Sequence, residues 1–326
     1  MRHIRRILLA IKNPAAIPLP AVAKAAQLAQ AFGAELTLFQ AIPAAICLGK
    51  SIAEVSHAMS DLDNGARSAH ERSLASIAQR LRRRGIGVSI SVQSDHPASE
   101  AILREAARIR ADLVVAEAHA GTHHGAGLLR LTDWELLRRS PVPLLLVKGS
   151  GSYRRPKVLV ALDPDHTFDK PVRLDAEVLT VGSTVSDALR GTLHAVHAYA
   201  WVPLNAVSAG TVTPRAIADV KQATAAVAAK KLAHAVRAAD IPEACQHVVG
   251  RHVPDAIVQV ATQCRSAIVV MGEVARSGLR RLLIGNTAER VLDQLDCDIL
   301  LVKPPQGLRT RGERQRRSPP ADWIHQ

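Results

Sequence analysis

The sequence predicts an α/β chain of two tandem doubly wound domains, each a five-stranded parallel sheet with helices on both faces. Three observations predict it. Short, continuous runs of Val, Ile, Leu and Ala alternate with longer stretches of helical period. The alternation occurs twice, with an offset of 155 residues between Lys148 and Lys303 and again between Thr132 and Thr287. The stretch 149–156 between the copies is small and polar, as a domain boundary is. The domains therefore span 1–148 and 157–304, with a linker at 149–156 and a basic tail at 305–326.

Each copy opens on a strand that is apolar throughout, residues 6–11 and Lys157–Leu162, as a strand covered on both faces should be. A helix follows. Val22, Ala25, Ala29 and Phe32 share a face and Gly33 ends the helix. Leu174, Val178 and Val181 repeat that stripe, and Gly182 is expected to end it. The second strands are Glu35–Ile42 and 192–199. Next comes a long helix with Leu74, Ile77 and Leu81 inward and arginines 82–84 at its end, before Gly85. Those cations are read as offsetting the helix dipole rather than as a phosphate patch. The counterpart begins at Thr213-Pro214, a cap and then proline at the first helical position. Its expected inner face is Ile217, Val220, Thr224, Ala228 and Leu232. The third strands, Val88–Ser94 and 246–250, each lead to a proline, Pro97 or Pro254, that opens a helix. The fourth strands are 112–115 and 267–270, the last helices begin at Thr132 and Thr287, and the fifth strands are 144–148 and 299–303. Leu- and Val-rich edges are pairing templates, so the two fifth strands are expected to meet and make an intramolecular pseudo-dimer.

Sheets of this kind bind ligands beyond the C-terminal strand ends, where strand order reverses. That points to the loops after the first and fourth strands. In the second copy the fourth strand leads to Gly272, Ala275, Gly285, Asn286 and Thr287, and Asp163 follows the first strand. Glycines there let backbone N–H groups approach phosphates, and the helix N-terminus that follows favours negative charge.

In this loop the chain resembles the universal stress protein family, and residues 132–139 and 285–290 resemble its tandem two-domain type. The resemblance runs to about Pro304. Gly272, two residues, Ala275, nine residues, Gly285 and Asn286 follow the spacing of the family's ATP-binding members, with alanine for the middle glycine and Asn286-Thr287 where those members carry a hydroxyl. Asp163 matches the acidic residue that holds adenosine in that family. The resemblance thus implies a single weak ATP site in the second copy, lined by Asp163, Gly272, Ala275, Gly285, Asn286 and Thr287, with no obligatory cofactor. It also implies a cytoplasmic, non-enzymatic protein of stress survival and resistance to DNA damage.

The first copy departs from the pattern, with Lys12, Glu117 and Arg130 in place of Asp163, Gly272 and Gly285. A carboxylate ~4 Å from a phosphate charge, at an effective dielectric near 20, costs about 4 kcal/mol. No ATP is expected there. His119, His123 and His124 near Glu117 are read as polar loop residues, and no metal site is expected. Asp112, Asp133 and Glu135 are assigned to caps and surface contacts, and Trp134 to core or interface. His194 and His197 lie three apart on one strand, so they point to opposite faces.

Composition excludes other classes. Hydrophobic residues are 48% of the chain and aromatics 2%, so the core is aliphatic and no aromatic RNA platform can be built. No apolar run reaches the roughly 18–20 residues of a membrane span, and the apolar residues 7–11 read as a strand rather than a signal segment. Cys47, Cys245, Cys264 and Cys297 form no CxxC pair or zinc-like spacing and read as buried thiols in a reducing compartment. The net charge of +13, of which the tail supplies +3, permits contact with nucleic acid or anionic lipid but is read as solvated faces. The Arg-, Gly-, Gln- and Pro-rich tail is expected to be disordered. No dinucleotide fingerprint, phosphate-loop lysine motif, serine elbow or HExxH occurs. The expected partner is a small molecule, with a homodimer left open and no catalytic residues assigned. The reading is a nucleotide- or metabolite-binding adaptor. A slow ATPase and a carrier of an apolar metabolite stay open as alternatives.

Overall fold

The computed structural model describes residues 3–42, 52–94, 97–118, 131–165, 173–199, 213–272 and 291–303. The first half runs β1 Arg6–Ala10, α1 Pro20–Phe32, β2 Glu35–Ile42, α2 Ile52–Arg82, β3 Val88–Ser94, α3 Ala98–Arg108, β4 Leu113–Glu117, α4 Leu131–Arg139 and β5 Leu144–Val147. The second runs β6 Lys157–Leu162, α5 Leu174–Ala188, β7 Thr192–Ala198, α6 Pro214–Val236, β8 Gln246–Val249, α7 Val253–Cys264, β9 Ile268–Gly272 and β10 Asp298–Val302. No helix among the described residues is long and apolar enough to cross a membrane. The expected disordered tail and Cys47 lie outside the described residues.

All ten strands belong to one sheet in the order β3-β2-β1-β4-β5-β10-β9-β6-β7-β8. Pairing within each half is parallel. The fifth strands, β5 and β10, pair antiparallel, with Leu145 opposite Leu300. Strand side chains alternate between two apolar layers. On β1, Ile7 and Leu9 face the layer of α1, α2, α5 and α6, while Leu8 and Ala10 face that of α3, α4 and α7. Both layers run unbroken through both halves.

Local chemistry accounts for the element ends. α1 begins with proline at its first position and stops at Gly33, whose φ of 62° lies in the left-handed region. Thr213 caps α6 by accepting the Ala216 N–H at 3.3 Å. Asp112 accepts the N–H groups of Arg5 and Arg6 at 2.9 and 3.0 Å and so ties β1 to β4 at their starts. Arg82, expected to act on the helix dipole, donates from Nε and Nη2 to the Val88 carbonyl of β3.

Two expectations need correction. Gly182 does not end a helix: α5 continues to Ala188. A Cβ at Gly182 would lie 2.3 Å from Cγ1 of Val160, so the glycine lets α5 settle on β6. The inner face of α6 is also shorter than its periodicity implies. Ala228 and Leu232 are buried, but Val220 is 56% exposed because its turn contributes nothing to either apolar layer.

The linker is pinned to both halves. Tyr153 is buried and exchanges two hydrogen bonds with the Gln27 side chain of α1, at 2.9 and 3.0 Å.

Candidate functional site

In the second half β6 lies between β9 and β7, so strand order reverses at the β6–β9 pair. Val158 pairs with Ile268 and Val160 with Val270, which brings the C-terminal ends of the two strands side by side. Asp163, directly after β6, and Gly272, the last residue of β9, therefore meet at the edge the sequence singled out. Ala275, Gly285, Asn286 and Thr287 lie outside the described residues.

Around Asp163 stand polar groups that the sequence reading did not assign to this edge. The Asp163 N–H donates to Oδ2 of Asp175, in the first turn of α5, at 3.1 Å. Asp165 sits two residues on and takes Nε2 of His197 at 3.2 Å and the Lys231 ammonium of α6. Burial pushes the Asp165 carboxyl up, but its bond to Lys231 and the charges of His197 and Lys231 hold it below its ordinary value. His197 is fully buried, and its Nδ1 lies 3.4 Å from the Leu162 carbonyl oxygen. Asp165 on one nitrogen and a backbone carbonyl near the other hold the ring in place. The run Leu162-Asp163-Pro164-Asp165-His166 carried a signal, two carboxylates beside a strand end. Their partners His197 and Lys231 come from other elements and left none.

Gly272 has a packing reason of its own. A Cβ there would lie 2.7 Å from Cδ2 of Leu174, which is fully buried in the first turn of α5. The absence of a side chain at the end of β9 thus lets α5 begin close against the strand edge, with its N-terminus beside Asp163.

The equivalent edge of the first half is furnished differently. Lys12 takes the place of Asp163 by strand register and forms an ion pair with Asp133 of α4 at 3.2 Å. The Lys12 carbonyl accepts Nε2 of Gln40 at 3.1 Å. Asp133, expected to serve a cap or a surface contact, is fully buried in the first turn of α4 and pairs with the partly exposed Lys12. Glu117 ends β4 in the position of Gly272. Trp134 packs against the second apolar layer, and Glu135 pairs with Arg138 at 3.5 Å. His119, His123, His124 and Arg130 lie outside the described residues. His194 and His197 do face opposite sides of the sheet: His197 meets Asp165, whereas His194 lies beside His247 of β8.

An acidic residue and a helix N-terminus at a switch point can hold a polar ligand. The comparisons with known proteins agree with the fold. A profile of the universal stress protein family matches residues 3–148 and again 155–303. Universal stress protein E of Salmonella typhi is 31% identical over 228 residues, covering 68% of this chain and 70% of the relative. Its Escherichia coli K12 counterpart is 30% identical over 224 residues, with the same coverage. A protein of unknown function from Pseudomonas aeruginosa PAO1 superposes with a TM-score of 0.68 at 23% identity, over 93% of this chain and 94% of that one. A universal stress protein from Archaeoglobus fulgidus superposes with a TM-score of 0.60 at 16% identity, over 92% and 97%.

Proposed function

This chain belongs to the universal stress protein family, and we propose that it is a non-catalytic, cytoplasmic adaptor of the stress response, resistance to DNA damage included, that binds one nucleotide or related metabolite in its second half. The observation that carries the reading is the contrast between two equivalent edges. In the second half Asp163 and Gly272 stand at adjoining strand ends. In the first half the corresponding edge is closed by the Lys12–Asp133 pair and ends on Glu117. ATP is the ligand that the loop's resemblance favours. Asp163 would accept hydrogen bonds from the ribose, and the loop of Ala275, Gly285, Asn286 and Thr287 would meet the phosphates.

Ala275 provides the test. Where the family spacing has glycine, a left-handed backbone costs alanine about 1–2 kcal/mol, roughly a tenfold loss in affinity. Calorimetry on the full chain should find one weak ATP site, tightened several-fold in Ala275→Gly and lost in Asp163→Ala. Gly272→Glu is a poorer probe, because its side chain would strike Leu174 whether or not ATP binds. The adaptor reading also requires that ADP form no faster with the protein than without it. Two sites per chain, or ATP binding that survives Asp163→Ala, would place the ligand elsewhere.

A further inference from the structure

We propose that His194, His247 and Cys264 form a metal site that takes zinc(II). The three residues come from three elements: the third position of β7, the second of β8 and the last of α7. Nδ1 of His194 lies 3.1 Å from Nε2 of His247. The Cys264 sulfur lies 3.5 Å from that Nε2 and 3.9 Å from that Nδ1. A tetrahedral zinc, with bonds of about 2.0 Å to nitrogen and about 2.3 Å to sulfur, separates its two nitrogens by about 3.3 Å and each nitrogen from sulfur by about 3.5 Å. The donors therefore stand near the edge lengths of a coordination tetrahedron, but the two rings now point their facing nitrogens at each other in a hydrogen bond, so zinc would take the place of that bond and turn the rings toward a shared corner, with the fourth left for water.

The chemistry of the set agrees with the geometry. Imidazole and thiolate together suit zinc rather than a hard, oxygen-seeking cation. Burial lowers both imidazoles, with the charges of His247 and Lys157 adding to the effect at His194. Burial raises the Cys264 thiol while Lys157 works the other way, and zinc would displace its proton. His194 is buried, but His247 and Cys264 are partly exposed, which leaves an ion a path from solvent. Nε2 of His194 is buried with no hydrogen-bond partner among the described residues. Lack of such outer-shell support lowers metal affinity by about 10–100-fold, so moderate rather than extreme affinity is expected.

The duplication supplies an internal control. At the corresponding positions the first half has Thr37 on β2, Ser91 on β3 and Ile109 after α3. Thr37 there makes a simple hydroxyl pair with Ser89 at 2.9 Å. The fold itself therefore does not demand two imidazoles and a thiol at these places. Zinc bound in the second half would tie the edge strand β8 to β7 and to the end of α7.

The test uses the full chain, stripped with a chelator and titrated with cobalt(II) and then zinc(II). One cobalt per chain is expected, with a sulfur-to-cobalt charge-transfer band that zinc abolishes. Cys264→Ser should remove the band and weaken zinc by at least about 100-fold, the upper end of what losing even an outer-shell partner costs. His247→Gln should weaken zinc without changing the circular dichroism spectrum, which separates loss of a ligand from loss of fold. A wild-type protein that shows no such band would overturn the proposal. So would a band that persists in Cys264→Ser, which would assign it to another of the four cysteines. ATP binding plays no part in these readouts.

Discussion

Gly182 shows how much one residue's meaning depends on what lies across from it. In a helix interior, Gly→Ala ordinarily gains about 1 kcal/mol. Here the added carbon would meet Val160 at 2.3 Å, and overpacking of that kind costs about 1–3 kcal/mol. Gly182→Ala is therefore expected to lower the urea midpoint rather than raise it. Glu105 makes a second residue-level case. Its carboxylate is fully buried and is held by Nε and Nη2 of Arg108, at 2.7 and 2.6 Å, and by Nε2 of Gln93 at 3.0 Å. The Arg108 bond lowers its pKa, against burial acting the other way. A folded-state value below the unfolded one, about 4.3, gives stability that is present above that pH and lost as pH falls through the folded value. Urea melts across the acid range should show Glu105→Gln least stable relative to wild type near neutrality. The gap should close as the pH falls below about 4.

At the scale of elements, the fifth strands decide how the chain is closed. Leu144–Val147 is buried along its whole length, and one of its edges pairs with β10. Without the second half that edge would offer unpaired N–H and C=O groups flanked by leucine. Residues 1–150 expressed alone should dimerise or aggregate in light scattering, whereas a stable monomer would mean that β5 needs no partner. The ends of these strands also act on helices across the join. Lys148 donates to the carbonyls of Leu292 and Leu295, and Lys303 to that of Arg138. Lys303 thus serves a carbonyl in the last turn of α4, and Lys148 serves carbonyls in and just after the helical residues 291–294, where a cation is favoured. The sequence showed the two lysines as repeats of each other, but not that each reaches into the other copy.

At the scale of the whole molecule, Asp298 holds the join. Its Oδ1 accepts the N–H groups of Lys148 and Gly149, both at 2.9 Å. Its Oδ2 accepts the Lys24 ammonium at 2.6 Å and the Tyr153 hydroxyl at 2.5 Å. Lys24 is 3% exposed and Asp298 is fully buried, so the ion pair lies almost wholly out of water. Burial, and then the charge of Asp298, pushes the Tyr153 hydroxyl well above its usual pKa, so it stays a donor. Removing one member of such a pair typically costs about 3–5 kcal/mol, because the other charge stays buried alone. Asp298→Asn should lower the guanidinium midpoint accordingly. Adding Lys24→Met should restore part of the loss, since replacing both charges is far less costly than replacing one.

Read alone, the sequence determined that this is a duplicated α/β chain and where its strands and most of its helices lie. These are properties of neighbouring residues: apolar period, helix-ending glycine and proline, and a repeat that returns after 155 residues. The edge that Asp163 and Gly272 share was legible for the same reason, because strand order follows from the alternation of elements. The tertiary structure alone decided which side chains meet. Lys24 and Asp298 are 274 residues apart, Lys12 and Asp133 are 121, and His194 and Cys264 are 70. No local pattern encodes such pairs. They arise because β5 joins β10, α4 starts beside the end of β1 and α7 ends over β7 and β8, and a shift of one residue in strand register would turn His194 to the other face of the sheet.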